Sequence, residues 1–328
     1  MSYAEGLNKM HGPSSGLVRR NRLVLLAATV GLLLIGCSSG ESRVNSELAV
    51  VQDNIEKLNL ALEKNLLRNA ILIRQYASIL SSKYSELSPL LKELKKDATP
   101  EGPLFQGLEK RYQGLKTGRE NFQSWTDKLL EAKKLNAATK LDAYNDALSD
   151  TVNVIADLSN GELARVNSVS ATAEKSINNS KSYGHGGQYM GNPHYGYWSH
   201  GAGGSFWAWY GQYALFSTLV GNNRYYYNDW ARNRGYSYYH DVGRNHYTSR
   251  AQRAGMTDTD NRARRQFGSQ GRYQSPYARN RGGAAGLSSS SRGLQTSAFK
   301  SQYAKASNYQ SSTRTSGYRT STGLSRGK

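Results

Sequence analysis

From Val44 onward, apolar residues recur at Leu48, Val51, Ile55, Leu58 and Leu62. Alternating steps of four and three line one face of an α-helix and give a heptad seam. The stripe continues through Leu66, Ala70, Ile73, Ala77, Leu80, Tyr84 and Leu87. Two successive steps of four, Leu58 to Leu62 to Leu66, make a stutter that locally unwinds such a seam, and Asn65 and Asn69 stand where the earlier register would put apolar residues. Unbroken, 44–87 would be a rod of ~65 Å. Ser88-Pro89 predicts a restart, because proline suits the first helical turn and serine can cap it. Pro100 and Pro103 flank Gly102 in the clearest turn of the region.

A second stripe reads Leu104, Leu108, Tyr112, Leu115, Phe122, Trp125 and Leu129, and a third Leu141, Tyr144, Leu148, Val152, Ile155 and Leu158. Asn160-Gly161 ends or kinks the third, with Leu163, Val166 and Ala171 continuing it weakly. Gly107, Gly114 and Gly118 fall near one helical face, either to admit a close neighbour or as tolerated glycines costing ~1 kcal/mol each. Each helix is expected to bury one face only. The fold expected for 44–181 is therefore all-α, an elongated antiparallel helical bundle or coiled-coil hairpin, open to self-association or a helical protein partner.

Periodicity stops at Ser182. Residues 182–328 hold 22 of the 33 glycines and 18 of the 23 tyrosines, and a largely disordered Gly/Tyr/Arg/Ser-rich tail is the expectation. One uncharged run, 205–220, stands apart. Its rings Phe206, Trp207, Trp209, Tyr210, Tyr213 and Phe216 suit docking to a membrane interface or a partner, and equally suit a small aromatic cluster folded onto the helices.

Charge follows the same division. Residues 41–181 carry twenty Lys/Arg against nineteen acids, whereas 182–328 carry nineteen against four, with no glutamate. Arginine interleaved with tyrosine, including Arg262, Arg264, Arg265, Arg272, Arg279 and Arg281, suits polyanion contacts, with guanidinium for phosphate and ring faces for stacking. His185, His194 and His200 show no established metal-ligand spacing and no metal is expected. GxSxG, HExxH, P-loop and Rossmann patterns are absent, and no enzyme is expected. The lone cysteine, Cys37, excludes an internal disulfide and Cys-based zinc or CxxC chemistry.

That cysteine has a telling context. Arg19, Arg20 and Arg22 precede thirteen largely apolar residues, Leu23 to Ile35, too few for an ordinary membrane span but ordered as an export signal. Leu34-Ile35-Gly36-Cys37 resembles the lipobox of bacterial lipoproteins at all four positions. The resemblance implies cleavage before Cys37, a covalent lipid on its sulfur as the only prosthetic group, and membrane attachment. It further implies a periplasm-facing cell-envelope protein, sorted to the outer membrane because Ser38 stands where an inner-membrane signal would place aspartate. Met1 and Met10 are both compatible starts. Gly204-Ser205-Phe206-Trp207 and the Arg-Gly-Gly and Ser/Thr/Arg-rich end resemble YgiB-type envelope lipoproteins.

The expected organisation is a signal peptide (1–36), a lipidated tether (37–43), a helical domain (44–181) and a basic tail (182–328). The expected function is a structural or adaptor lipoprotein whose tail contacts an anionic envelope polymer, a lipid surface or a protein, the export signal arguing against nucleic acid. The rival is a periplasmic binding module with a ligand between its helices, in a cleft lined by Phe122, Trp125 and Tyr144.

Overall fold

The computed structural model describes residues 40–118, 121–279 and 281–298, so the lipobox, Cys37 and residues 299–328 lie outside the described residues. The chain is mostly helical with one small two-stranded sheet.

Residues 44–87 do not form a single rod. Helix α1 spans 40–63 and α2 spans Arg68–Lys83. The break falls at the stutter, where Asn65 takes φ 56° and the Leu66 N–H reaches back to the Ala61 carbonyl at 2.8 Å. A left-handed residue with this back-bond is a Schellman stop, and asparagine tolerates it better than most side chains. The stop turns Leu66 outward, leaving it 66% exposed, and hands its place in the stripe to the buried Leu67. Asn69 is also buried. Its N–H and side-chain amide bond to the side chain and carbonyl of Asn145, at 2.9 and 2.6 Å, fastening α2 to α6 (Leu141–Ala147).

Helix α3 (Ser88–Lys95) carries Pro89 in its first turn, although Ser88 makes no capping bond there. Helix α4 (Pro103–Lys116) follows the proline-glycine turn. The second stripe then divides, because α5 (Trp125–Ala138) begins afresh at Ser124, whose Oγ accepts the Asp127 N–H at 3.1 Å. Helix α7 (Ser149–Leu158) departs from the one-face expectation, since its polar Ser149, Asp150, Thr151 and Asn153 are buried along with Val152, Val154 and Ile155. It is the central helix: the tail supplies partners to Asp150 and Thr151, while Asn153 is held by Val166 and Ser168 of the loop after α7.

Far from being disordered, residues 182–298 fold onto the helices as far as they are described. They are preceded by α8 (Ala171–Asn178) and supply strands β1 (Gly196–Gly201) and β2 (Gly204–Trp209), then α9 (Leu215–Leu219), α10 (Tyr227–Asn233), a π-helical turn (Tyr239–Gly243), α11 (Arg244–Tyr247), α12 (Arg250–Phe267) and α13 (Ser289–Ala298). The strands pair antiparallel around Ala202-Gly203, with Trp198 opposite Trp207 on the inner face. Tyr189, Tyr195, Tyr213, Phe216, Tyr238, Tyr239 and Tyr247 share one core with the leucines and isoleucines of α1–α7. A second core gathers Trp198, Trp207, Tyr227, Trp230 and Met190 against Ala263 of α12. Over the described residues of 182–298 the disorder expectation does not hold, because tyrosine and tryptophan bury large apolar faces while offering a polar tip that can be bonded. Few aliphatics are needed when the rings carry the burial.

Candidate functional site

Buried acids of the helical region receive donors from the tail. Asp97, in the 3-10 turn Lys96–Ala98 that follows α3, is fully buried and its Oδ2 accepts the hydroxyls of Thr151 (2.6 Å), Tyr195 (2.8 Å) and Tyr189 (3.2 Å). The two tyrosine rings stack at 3.6 Å. Burial pushes the Asp97 carboxyl up to about 6, the three hydroxyls only partly opposing it. Asp150 of α7 accepts the N–H groups of Tyr238 and Tyr239 at 2.8 and 2.9 Å, and burial raises it to about 7. Glu131 of α5 holds both Arg111 of α4 and Arg253 of α12, whose charges outweigh the burial and keep it below the usual carboxylate range.

Between α8, α10 and the loop at 180–188 lies a cleft of about 370 Å³. Its deep charges are already matched. Arg165 forks onto Asp157 (2.6 and 2.8 Å) and reaches Glu174 (2.7 Å), and Gln188 donates to Asp157 at 2.8 Å. Arg234 forks onto Asp241 at 2.7 and 2.9 Å. The imidazole of His240 is engaged by the Met190 carbonyl at 2.7 Å, and burial with nearby Arg234 drives it well below the ordinary histidine value. Lys175, Lys181 and His185 stand nearer the solvent. Such a lining can bind, but it sets up no base beside a nucleophile.

The basic surface belongs to α12 and the hairpin. Ser249 and Gln252 close a capping box on α12, which runs ~27 Å at 1.5 Å per residue. At its start, the Arg250 guanidinium lies 4.6 Å from the Phe122 ring. At its far end, Arg264 lies 5.3 Å from the Tyr273 ring and Arg272 lies 5.6 Å from Phe267. Arg262 pairs with Asp258 at 2.7 Å, and Arg265 and Arg279 are exposed. The hairpin meets this end, since a Cβ on Gly204 would sit 3.4 Å from Gln266 and 3.7 Å from Phe267. Across the hairpin, Tyr197 and Ala208 form a pair opposite in face to Trp198 and Trp207, and Phe206 bridges to Tyr226. Arg224 lies 4.8 Å from the Phe206 ring.

The docking expectation for 205–220 is thereby corrected. Trp207, Tyr213 and Phe216 are buried in the two cores and so do not face a membrane or a partner, Phe206 and Trp209 are half-buried, and of the six rings only Tyr210 is exposed. The aromatic-cluster reading describes this segment. Of the six arginines, Arg281 is withdrawn from polyanion contact: it is buried, donates to the Arg232 carbonyl at 2.7 Å, and burial lowers it to about 10. The other five are exposed. Phe122, Trp125 and Tyr144 share no cleft, as Tyr144 is fully buried while Trp125 is 39% exposed. Gly107 does admit a close neighbour, but that neighbour is the His194 ring from the tail, 2.6 Å from where a Cβ would stand. Among the described residues, no three His, Cys, Asp or Glu side chains gather as a metal site, and no helix is long and apolar enough to cross a membrane.

The acid anchors and Arg250 were not foreseen from sequence; the nearest hint was a tail rich in hydroxyl and guanidinium donors and almost free of acids. Comparison with family models, curated proteins and solved structures finds no match for this chain.

Proposed function

We propose that this protein is a lipid-anchored adaptor of the bacterial envelope, tethered through Cys37, whose folded basic module contacts an anionic envelope polymer or lipid surface. One observation carries the reading: Arg264, Arg265 and Arg272 are exposed at the far end of α12, and two of them are backed by aromatic rings. A guanidinium laid on a ring keeps its N–H edges for an anion and loses little entropy on binding. The lipobox-like Leu34-Ile35-Gly36-Cys37 and Ser38 support an outer-membrane address.

The test is co-sedimentation of the full chain with isolated cell-wall fractions and anionic vesicles across a salt series. Replacing Arg264, Arg265 and Arg272 by alanine removes about 1 kcal/mol each, so affinity should drop roughly 100-fold at low salt and the salt dependence should flatten. Unchanged binding refutes the contact. Incorporation of labelled palmitate, abolished in Cys37→Ala, tests the anchor separately. A second reading, small-ligand binding, is favoured by the cleft beside Arg165 and Lys175 rather than by any space between the helices.

A further inference from the structure

The described residues begin at Gly40, three residues beyond Cys37 and five beyond the apolar run that ends at Ile35. An extended chain covers at most ~3.6 Å per residue, so Gly40 stands within ~11 Å of a lipidated Cys37, and within ~18 Å of the end of the apolar run if that run itself stays in the bilayer. What surrounds Gly40 must therefore lie close to a membrane. Its neighbour is Trp125: a Cβ on Gly40 would fall 2.9 Å from the Trp125 Cβ.

Trp125 differs from the other tryptophans. Trp198, Trp207 and Trp230 are buried and Trp209 is half-buried, whereas Trp125 is 39% exposed at the start of α5. Lys128 lies 5.5 Å from its ring, and three residues earlier Phe122 carries the Arg250 guanidinium. Leu130, 43% exposed, adds apolar surface on the same helix. Arg43 brings a third exposed or half-exposed cation to this end, against exposed Glu41 and Asp127. Indole and phenyl rings beside long cationic side chains match the headgroup layer of a bilayer, where the ring's apolar body enters the interface and the cation meets phosphate.

We propose that the surface formed by Phe122, Trp125, Lys128 and Arg250 seats in the headgroup layer of the membrane to which the chain is tethered. The seat orients the body. The start of α12 lies at the bilayer, and its arginine-rich end and the hairpin are carried ~27 Å along the helix toward the contact proposed above. This inference rests on the membrane-tethered reading, and the experiment separates the two.

Full-length protein is reconstituted in vesicles of phosphatidylcholine and phosphatidylglycerol, with the acyl chains either unmodified or brominated close to the headgroup. Flotation with the vesicles reports the tether, and quenching of tryptophan emission by bromine reports the seat. Since one of five tryptophans is placed at the interface, bromolipid should remove up to about a fifth of the emission, and Trp125→Phe should abolish that loss. Phenylalanine keeps a ring against Gly40, so the fold is retained. The double variant Lys128→Glu with Arg250→Glu should weaken quenching while flotation stays unchanged. Protein that floats without quenching overturns the seat alone, as does quenching that persists in Trp125→Phe. Protein that neither floats nor takes up palmitate overturns both. If a second copy covers this surface instead, Trp125 emission will respond to protein concentration and not to bromine, which also overturns the proposal.

Discussion

Asp97→Asn isolates the energetic cost of joining the tail to the helices through a buried carboxylate. Asp97 is fully buried, and its Oδ1 has no partner while Oδ2 takes three hydroxyls. Burial raises the group from 3.8 to about 6, which at about 1.4 kcal/mol per pKa unit makes the ionised form cost about 3 kcal/mol relative to the unfolded chain. The folded protein therefore takes up its proton before the unfolded chain does. The cost is absent below pH 3.8, grows as pH rises from there to about 6, and is fully present above. Tyr189 and Tyr195 are raised well above the ordinary tyrosine value by burial, so they remain donors throughout. Asparagine keeps a carbonyl oxygen for the three hydroxyls and cannot ionise. Asp97→Asn should thus match the parent below about pH 4 and exceed it by up to about 3 kcal/mol at pH 8, as the difference in urea unfolding free energy measured from pH 4 to 8. Other titrating groups, Asp150 and the buried histidines among them, cancel in the difference. A constant offset at every pH, or a variant less stable at pH 8, would refute the reasoning and show that the charge-assisted hydroxyl bonds outweigh desolvation.

Two further substitutions probe the packing of the tail, one within it and one where it meets α4. Arg234 and Asp241 form a forked pair with each side chain only 3% exposed, so Arg234→Ala strands a buried carboxylate and should cost about 3–5 kcal/mol in urea unfolding; a loss under 1 kcal/mol, on the order of an exposed pair, would mean that the site is wet. Gly107→Ala drives a methyl into the His194 ring and should cost about 1–3 kcal/mol, lowering Tm. His194→Ala in the same chain should recover part of that loss, and a double-mutant cycle with no coupling would show that the two residues do not meet.

What the sequence by itself determined is local. Helices in 44–158 announce themselves through spacing, because a 3.6-residue repeat sets apolar side chains on one face whatever lies opposite. The stops are equally local: Asn65 and Asn160 adopt φ of 56° and 53° where the stripes falter, and Pro103 opens α4 after Gly102. Even so, the stutter read as a loosened seam is a full helix stop, since spacing alone does not say how far a chain will turn. The exposed arginines of α12 were legible in the same local way.

Tertiary structure decided the rest. Whether a glycine- and tyrosine-rich tail folds depends on finding a surface for its rings and partners for its hydroxyls. Those partners are remote: the Tyr195 hydroxyl meets Asp97 across 98 positions, and the Tyr238 N–H meets Asp150 across 88. No periodicity encodes contacts at such range, and the same composition without an opposing face would lack the burial to overcome chain entropy. For the same reason α7 is indistinguishable by stripe from its neighbours, yet becomes the central helix once tail donors satisfy Asp150, and Arg281 changes from candidate surface cation to buried brace. Residue chemistry is written along the chain, but which of it faces solvent is settled only by what packs against it.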